Sequence, residues 1–249
     1  MNAHNNQAFD KKKCQPCIYT NYLVDDDTGI GPTYAELRLI LSELDDYRMD
    51  HVLAREIDTA LPGFAATPSS SKGGLRRYLS DSTNKRVKSR VPILQKFHDA
   101  LKSRIEAELS ATTAGASSPA TSASPVSVIS AITSVSPDDP MPHPLCEFGY
   151  TIDAKLRSDQ HRRHNHSKWL MNLTEAICVR RFGRDKYRMK FYVVYCIPSP
   201  PLSPLAEAVI TVIGQGYVAN GGGFSFQSAG ESTDFEIEVT DEQALQHLE

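Results

Sequence analysis

A chain of 249 residues with 40% apolar residues and a mean hydropathy of −0.36 holds one large domain or two small ones, with part of its length left unpacked. No stretch approaches the length needed to cross a bilayer, and the opening Met-Asn-Ala-His-Asn-Asn-Gln lacks the apolar segment of a signal peptide. Five cysteines, an odd number at irregular spacing, argue against a disulfide framework and for a reducing compartment, nucleus or cytoplasm. The net charge of −3 hides a segregation. Residues 155–190 carry eleven Lys or Arg against three acids, whereas residues 231–249 carry seven acids and no Lys or Arg. A polyanionic partner therefore has one landing region despite the acidic total.

In chain order, residues 1–28 read as a disordered polar tail, with Lys11-Lys12-Lys13 followed by Asp25-Asp26-Asp27. Cys14 and Cys17 form half of a zinc site with no second pair nearby, so two reduced thiols are the simpler reading. Residues 29–108 form a helical region. Leu37, Ile40, Leu41 and Leu44 recur at three and four, Val52, Leu53 and Ile57 continue the pattern, and Pro62-Gly63 stops it. A Ser/Gly loop over 67–74 leads to a second helical stretch, 75–108, interrupted at Pro92 and striped by Leu94, Phe97, Leu101 and Ile105. These helices suit a small bundle or an arm that binds a protein partner. Arg76, Arg77, Lys85, Arg86, Lys88 and Arg90 suit nucleic acid or nuclear import, and equally a solvated face.

Residues 109–143 are rich in Ser, Ala, Thr and Pro and read as a disordered linker, with a β-branched run at 126–135 as a candidate edge strand. Residues 144–230 then alternate strand and helix patterns, an α/β arrangement of a short sheet flanked by helices. A short apolar run meets Gly149, and Asp153 is a helix N-cap. From there Arg157, His161 and His164 share one helix face, with Lys155, Arg162 and Arg163 beside them. One fixed cation and two titratable rings on one face suit a phosphate, though a charged helix is often only solvated. A zinc cluster of His161, His164 and His166 is disfavoured by Arg162 and Arg163, which repel the ion.

A second helix spans 167–182, led by Lys168, with Trp169, Leu170, Leu173, Ile177 and Cys178 buried and Arg180-Arg181 at its basic end. The strongest strand pattern is 187–197. Ser203 and Pro204 open a last helix expected to run to about Val218, before Gly221-Gly222-Gly223. Residues 231–249 form an acidic tail. Between Phe191 and Gly230 the only charge is Glu207, in a pattern that otherwise calls for burial. Such a carboxylate is either paired, bound to a metal, or placed in the first helical turn to favour the dipole.

The order of these parts over residues 126–230 resembles the GIY-YIG nuclease superfamily. In that family a hairpin carries two tyrosine motifs, a helix carries an Arg, and a later helix carries a metal-binding Glu. The second motif ends in a Gly eight residues before the Arg, the spacing of Gly149 and Arg157. His161 matches a His four residues past the Arg, His166-Ser167 matches a His-Ser at the next helix, and Glu207 falls on the later helix. Residues 221–230 are similar to a Gly-Phe-Asn segment that closes several members. Three positions depart from the pattern. Glu147 stands where the second motif has its Tyr, Ser225 replaces the Asn, and the first motif is unmatched, Cys17-Ile18-Tyr19 lying some 130 residues too early. Tyr150 is the available hydroxyl next to Gly149, although neighbours on a strand point to opposite faces.

The resemblance implies an endonuclease hydrolysing DNA phosphodiesters with a single divalent metal, Mg2+ or Mn2+, held by Glu207. Arg157 would neutralise charge on the phosphate, and His161, Tyr150 or a bound water would position the nucleophile. Lys155, Arg162, Arg163, His164, Lys168, Arg180 and Arg181 would track the backbone. The alternative is a catalytically inactive module of the same fold that binds nucleic acid or protein.

Overall fold

The computed structural model describes residues 16–61, 77–79, 90–115, 135–165 and 167–230. The predicted Ser/Gly loop, most of the basic cluster at 76–90, all but Val135 of the candidate strand at 126–135, His166, Cys14 and the acidic tail lie outside these residues. Among the described residues the protein is mixed α/β: six α-helices and one three-stranded antiparallel sheet, β1 (Cys17–Asp25), β2 (Cys146–Thr151) and β3 (Tyr187–Cys196) in the order β2-β1-β3. No described helix is long and apolar enough to cross a membrane.

The central strand is a correction. β1 falls inside the stretch read as a disordered tail, yet it is hydrogen-bonded on both sides, to β2 and to β3. Its sequence, Cys-Ile-Tyr-Thr-Asn-Tyr-Leu-Val-Asp, suits a strand flanked by neighbours, because β-branched and aromatic side chains fill both faces of the pleat. Ile18, Tyr19, Thr20 and Leu23 are all buried. Flanking lysines and aspartates mask the signal, and the partner strand is more than a hundred residues away.

Three helices precede β2: α1 (Tyr34–Met49), α2 (His51–Ala60) and α3 (Arg90–Gly115). A capping box closes the start of α1: the Glu36 amide donates to Thr33 Oγ1 at 3.2 Å, and the Thr33 amide donates to Glu36 Oε2 at 2.9 Å. Asp50 divides the predicted run in two, ending α1 and accepting from the Val52 and Leu53 amides to start α2. Pro92 lies in the first turn of α3, where a missing N–H costs nothing, rather than interrupting a helix. The stripe Leu94, Phe97, Leu101 and Ile105 is buried as expected.

The expected division into a helical region, a linker and a separate domain does not hold. α3 continues to Gly115, inside the predicted linker. The far end of that linker is pinned to α1, the Tyr34 amide donating to Asp139 O and the Met141 amide to Pro32 O. One continuous core joins Leu37, Ile40, Leu44, Ile57 and Phe97 to Leu170, Leu173, Ile177 and Phe224.

After β2 come α4 (Ala154–Arg162), α5 (Trp169–Phe182), β3 and α6 (Ser203–Ile213). α5 is buried from Leu170 to Val179 because it packs on β3 as well as on α1 and α2. α6 lies against β2 and β1 and is amphipathic in the reverse sense. Ser203, Glu207 and Thr211, spaced by four, face inward, while Leu205, Val209, Val212 and Ile213 face out. Gly214 ends this helix, short of the expected Val218, and Leu202 rather than Ser203 is its N-cap residue.

Candidate active site

β1 brings Tyr19 beside Gly149, its register partner on β2. A Cβ at position 149 would collide with the Tyr19 phenol, so the glycine leaves the space in which that ring lies. The ring is 2% exposed and stacks on Phe191 at 4.8 Å. Asp153 caps α4, accepting from the Leu156 amide at 2.8 Å, and so aims the next turn at the same point. Arg157 Nε donates to the Tyr19 hydroxyl at 2.9 Å, and His161 Nε2 lies 3.2 Å from it. The residue spacing alone puts Arg157 and His161 on one face; the hydroxyl they hold comes from the strand read as a tail.

Protonation follows from this geometry. Burial pushes His161 down to about 4, against the opposing pull of Glu147, so the imidazole is neutral near pH 7. Burial and the nearby Glu147 push the Tyr19 phenol up, outweighing Arg157, so it keeps its proton. Arg157 can only donate, so the phenol accepts from it, and in the tautomer that points an Nδ1–H towards Glu147 the phenol gives its own proton to Nε2. The His161 proton then sits on Nδ1, 3.1 Å from Ser167 Oγ and 3.9 Å from Glu147 Oε2.

Glu147 is 1% exposed and is held by Asn21 Nδ2 at 3.0 Å and Lys168 Nζ at 3.6 Å. Lys168 also donates to Ser225 Oγ at 2.7 Å, joining α5 to the chain after α6. Glu207 is in the second turn of α6, too far along for the dipole role, and is 5% exposed. Burial raises its pKa, opposed by Lys168 and the Gly230 amide. Its Oε2 has no hydrogen-bond partner among the described residues. Glu207, Glu147, Tyr19, Arg157 and Lys168 line one cleft of about 540 Å³.

An orphaned, buried carboxylate oxygen facing a cleft fits a hard divalent cation of the Mg2+ type, which takes one or two carboxylates and completes its shell with water and phosphate oxygens. No group of three His, Cys, Asp or Glu side chains gathers as a ligand set among the described residues.

Several expected positions differ. Tyr150 lines the cleft, but the hydroxyl held by Arg157 and His161 belongs to Tyr19. His164 lies past the end of α4 with φ of 56° and turns inward, 3.0 Å from Glu175 Oε2, away from any phosphate path. Arg180 pairs with Glu43 at 3.0 Å and Glu56 at 2.8 Å, and Arg181 lies 3.8 Å from Glu43. These two arginines tie α5 to α1 and α2 rather than lining the cleft. Lys155, Arg162 and Arg163 are exposed on and after α4. Cys17, the described half of the Cys-x-x-Cys, is buried in β1 with its thiol pushed up to about 12 by burial, which disfavours the thiolate that zinc needs. Sequence alone sets Tyr19 aside as too early in the chain and misses Asn21 as a partner of Glu147; the strand pattern at Cys17–Asp25 is the signal that points to both.

No family model matches this chain, and neither a curated protein nor a solved structure matches it.

Proposed function

We propose that this cleft binds a nucleic-acid phosphodiester, DNA in the first instance, and hydrolyses it with one Mg2+ or Mn2+ as a divergent GIY-YIG-like endonuclease of the nucleus or cytoplasm. The observation that carries the reading is the Tyr19 hydroxyl, gripped by Arg157 and His161, in the same cleft as the unpartnered oxygen of Glu207. Tyr19 thereby stands in the role of the first-motif tyrosine, supplied from the N-terminus.

The phenol oxygen has two lone pairs and one proton. Arg157 uses one lone pair and His161 receives the proton, which leaves one lone pair for a water in the cleft. As the water attacks phosphorus, its proton passes to the Tyr19 oxygen and the phenol proton passes to His161 Nε2. Burial keeps His161 neutral beforehand, and an anionic phosphate in the cleft raises its proton affinity. Arg157 and Lys168 supply donors to the phosphate oxygens as charge builds on them. Glu207 would hold the cation, which when bound polarises the phosphate and steadies the leaving oxygen.

One observation favours the inactive module: the second-motif tyrosine is replaced by Glu147, locked against Lys168 and Asn21. The test is cleavage of labelled linear and branched DNA with Mg2+ or Mn2+, comparing wild type, Tyr19→Phe, Arg157→Ala and Glu207→Gln. Metal-dependent cutting is expected, reduced about 10²-fold or more by each change. Binding without cutting, weakened by Arg157→Ala, selects the module. Neither cutting nor binding overturns both readings.

A further inference from the structure

Beside the cleft lies a second cavity of about 450 Å³ between the start of α3 and the chain after α6. The two share Ser225, Gln227 and Ser228 as a common wall. That wall is anchored: the Val218 amide donates to Ser225 O at 2.9 Å, the Ser225 amide donates to Gly216 O at 3.0 Å, and Phe224 is buried on Phe97 at 5.6 Å. Phe226, two residues further on, stays 37% exposed at the cavity. Trp169 braces it at 6.4 Å, and the Arg90 guanidinium caps Trp169 at 5.4 Å, so a cation and two aromatic rings form a row. Tyr217 and Ile93 add further apolar wall, while Lys96 and Gln227 supply polar groups at its edge. The Tyr217 hydroxyl accepts from the Ala229 amide at 3.2 Å, which holds its ring in place.

We infer that this cavity is a subsite for one unpaired nucleobase, flanking the phosphate held in the cleft. The inference rests on the reading of that cleft as a phosphodiester site. A cavity walled by fixed aromatic rings, with an amide and an ammonium at the rim, matches a flat heterocycle carrying donors and acceptors. Its shared wall with the phosphate cleft matches a ligand in which base and phosphate are joined by one sugar. A base stacked within a duplex cannot enter, so the preferred substrate has a single-stranded or unpaired nucleotide next to the scissile bond.

Trp169 is the only tryptophan in the chain, so its emission reports a base arriving at Phe226. The full chain in a chelator, where cleavage stops, is titrated with a ten-nucleotide DNA strand and with an abasic deoxyribose-phosphate strand of the same length. The base-bearing strand is expected to bind about five- to fifty-fold more tightly and to perturb the emission. Phe226→Leu is expected to abolish that ratio, Phe226→Tyr to keep it, and both to leave the abasic affinity unchanged. A ratio near one in the wild type, or one that survives Phe226→Leu, sinks the base subsite and leaves the phosphate reading standing. Failure of both strands to bind overturns the phosphate reading and the subsite with it.

Discussion

Two buried glutamates on successive helices meet opposite fates. Glu175 on α5 sits in a closed network: Oε2 lies 3.0 Å from His164 Nε2, and Oε1 accepts from Arg188 Nε at 2.7 Å. Burial pushes its carboxyl up, but the hydrogen bonds and charges of His164 and Arg188 outweigh it and hold the pKa below the ordinary value. Glu207 on α6 has one oxygen without a partner among the described residues, and burial wins, raising its pKa. A folded chain rarely leaves a buried carboxylate oxygen unsatisfied unless something outside the chain satisfies it. At similar burial, then, Glu175 is closed into a network, whereas Glu207 keeps one oxygen open on the cleft side.

The largest expected effect separates the two by amide substitution. Glu175→Gln removes the charge that Arg188 and His164 face and is expected to cost about 3–5 kcal/mol of stability in chemical denaturation. Glu207→Gln removes a charge whose burial outweighs the help of Lys168 and the Gly230 amide, and is expected to leave stability unchanged or higher. Equal destabilisation by both changes would erase the distinction.

Next in size is the dependence of melting temperature on pH. His161 titrates at about 4 when folded and near 6.5 when unfolded, so between these values the unfolded chain binds more protons. Its stabilising contribution is complete above pH 6.5 and is lost as pH falls towards 4. Glu175, with a lowered pKa, contributes above the ordinary carboxylate value of 4.5 and loses that contribution at lower pH. Glu207 runs the other way: protonation favours the fold, and that advantage disappears as pH rises through its raised value. His161→Gln is expected to flatten the fall between pH 6.5 and 4.5 while leaving the steeper acid limb. An unchanged profile would contradict a buried neutral imidazole.

The smallest effects are in salt dependence. Lys155 and Arg162 are exposed on α4, and replacing either by Ala is expected to lower the slope of log K against log salt for DNA binding by about one. Arg180→Ala is expected to leave that slope alone and to lower stability, because Arg180 is paired with Glu43 and Glu56. A slope change at Arg180 as large as that at Arg162 would move the nucleic-acid path to the far end of α5.

Local signals made much of the scaffold legible. The stripe of α3, the buried side of α5, the strand β3 and the Asp153 cap all follow from periodicity and capping chemistry within ten or so residues. The cap and the four-residue spacing also aligned Arg157 with His161, and the lone charge in an apolar run marked Glu207. His164 misled because helical spacing was carried past the end of a nine-residue helix, where a left-handed residue turned the chain inward. Arg180 and Arg181 misled because a basic helix end does not reveal which acids will pack beside it.

By itself, then, the sequence determined the local elements, one face of the site and its odd carboxylate, since each depends on neighbours along the chain. Tertiary structure alone decided that β1 is the central strand, that Tyr19 rather than Tyr150 meets Arg157, and that Glu147 is locked to Lys168. The physical reason is range. Strand pairing and burial join residues some 130 positions apart, and in this chain the intervening residues include three helices and a stretch whose composition resembles a linker.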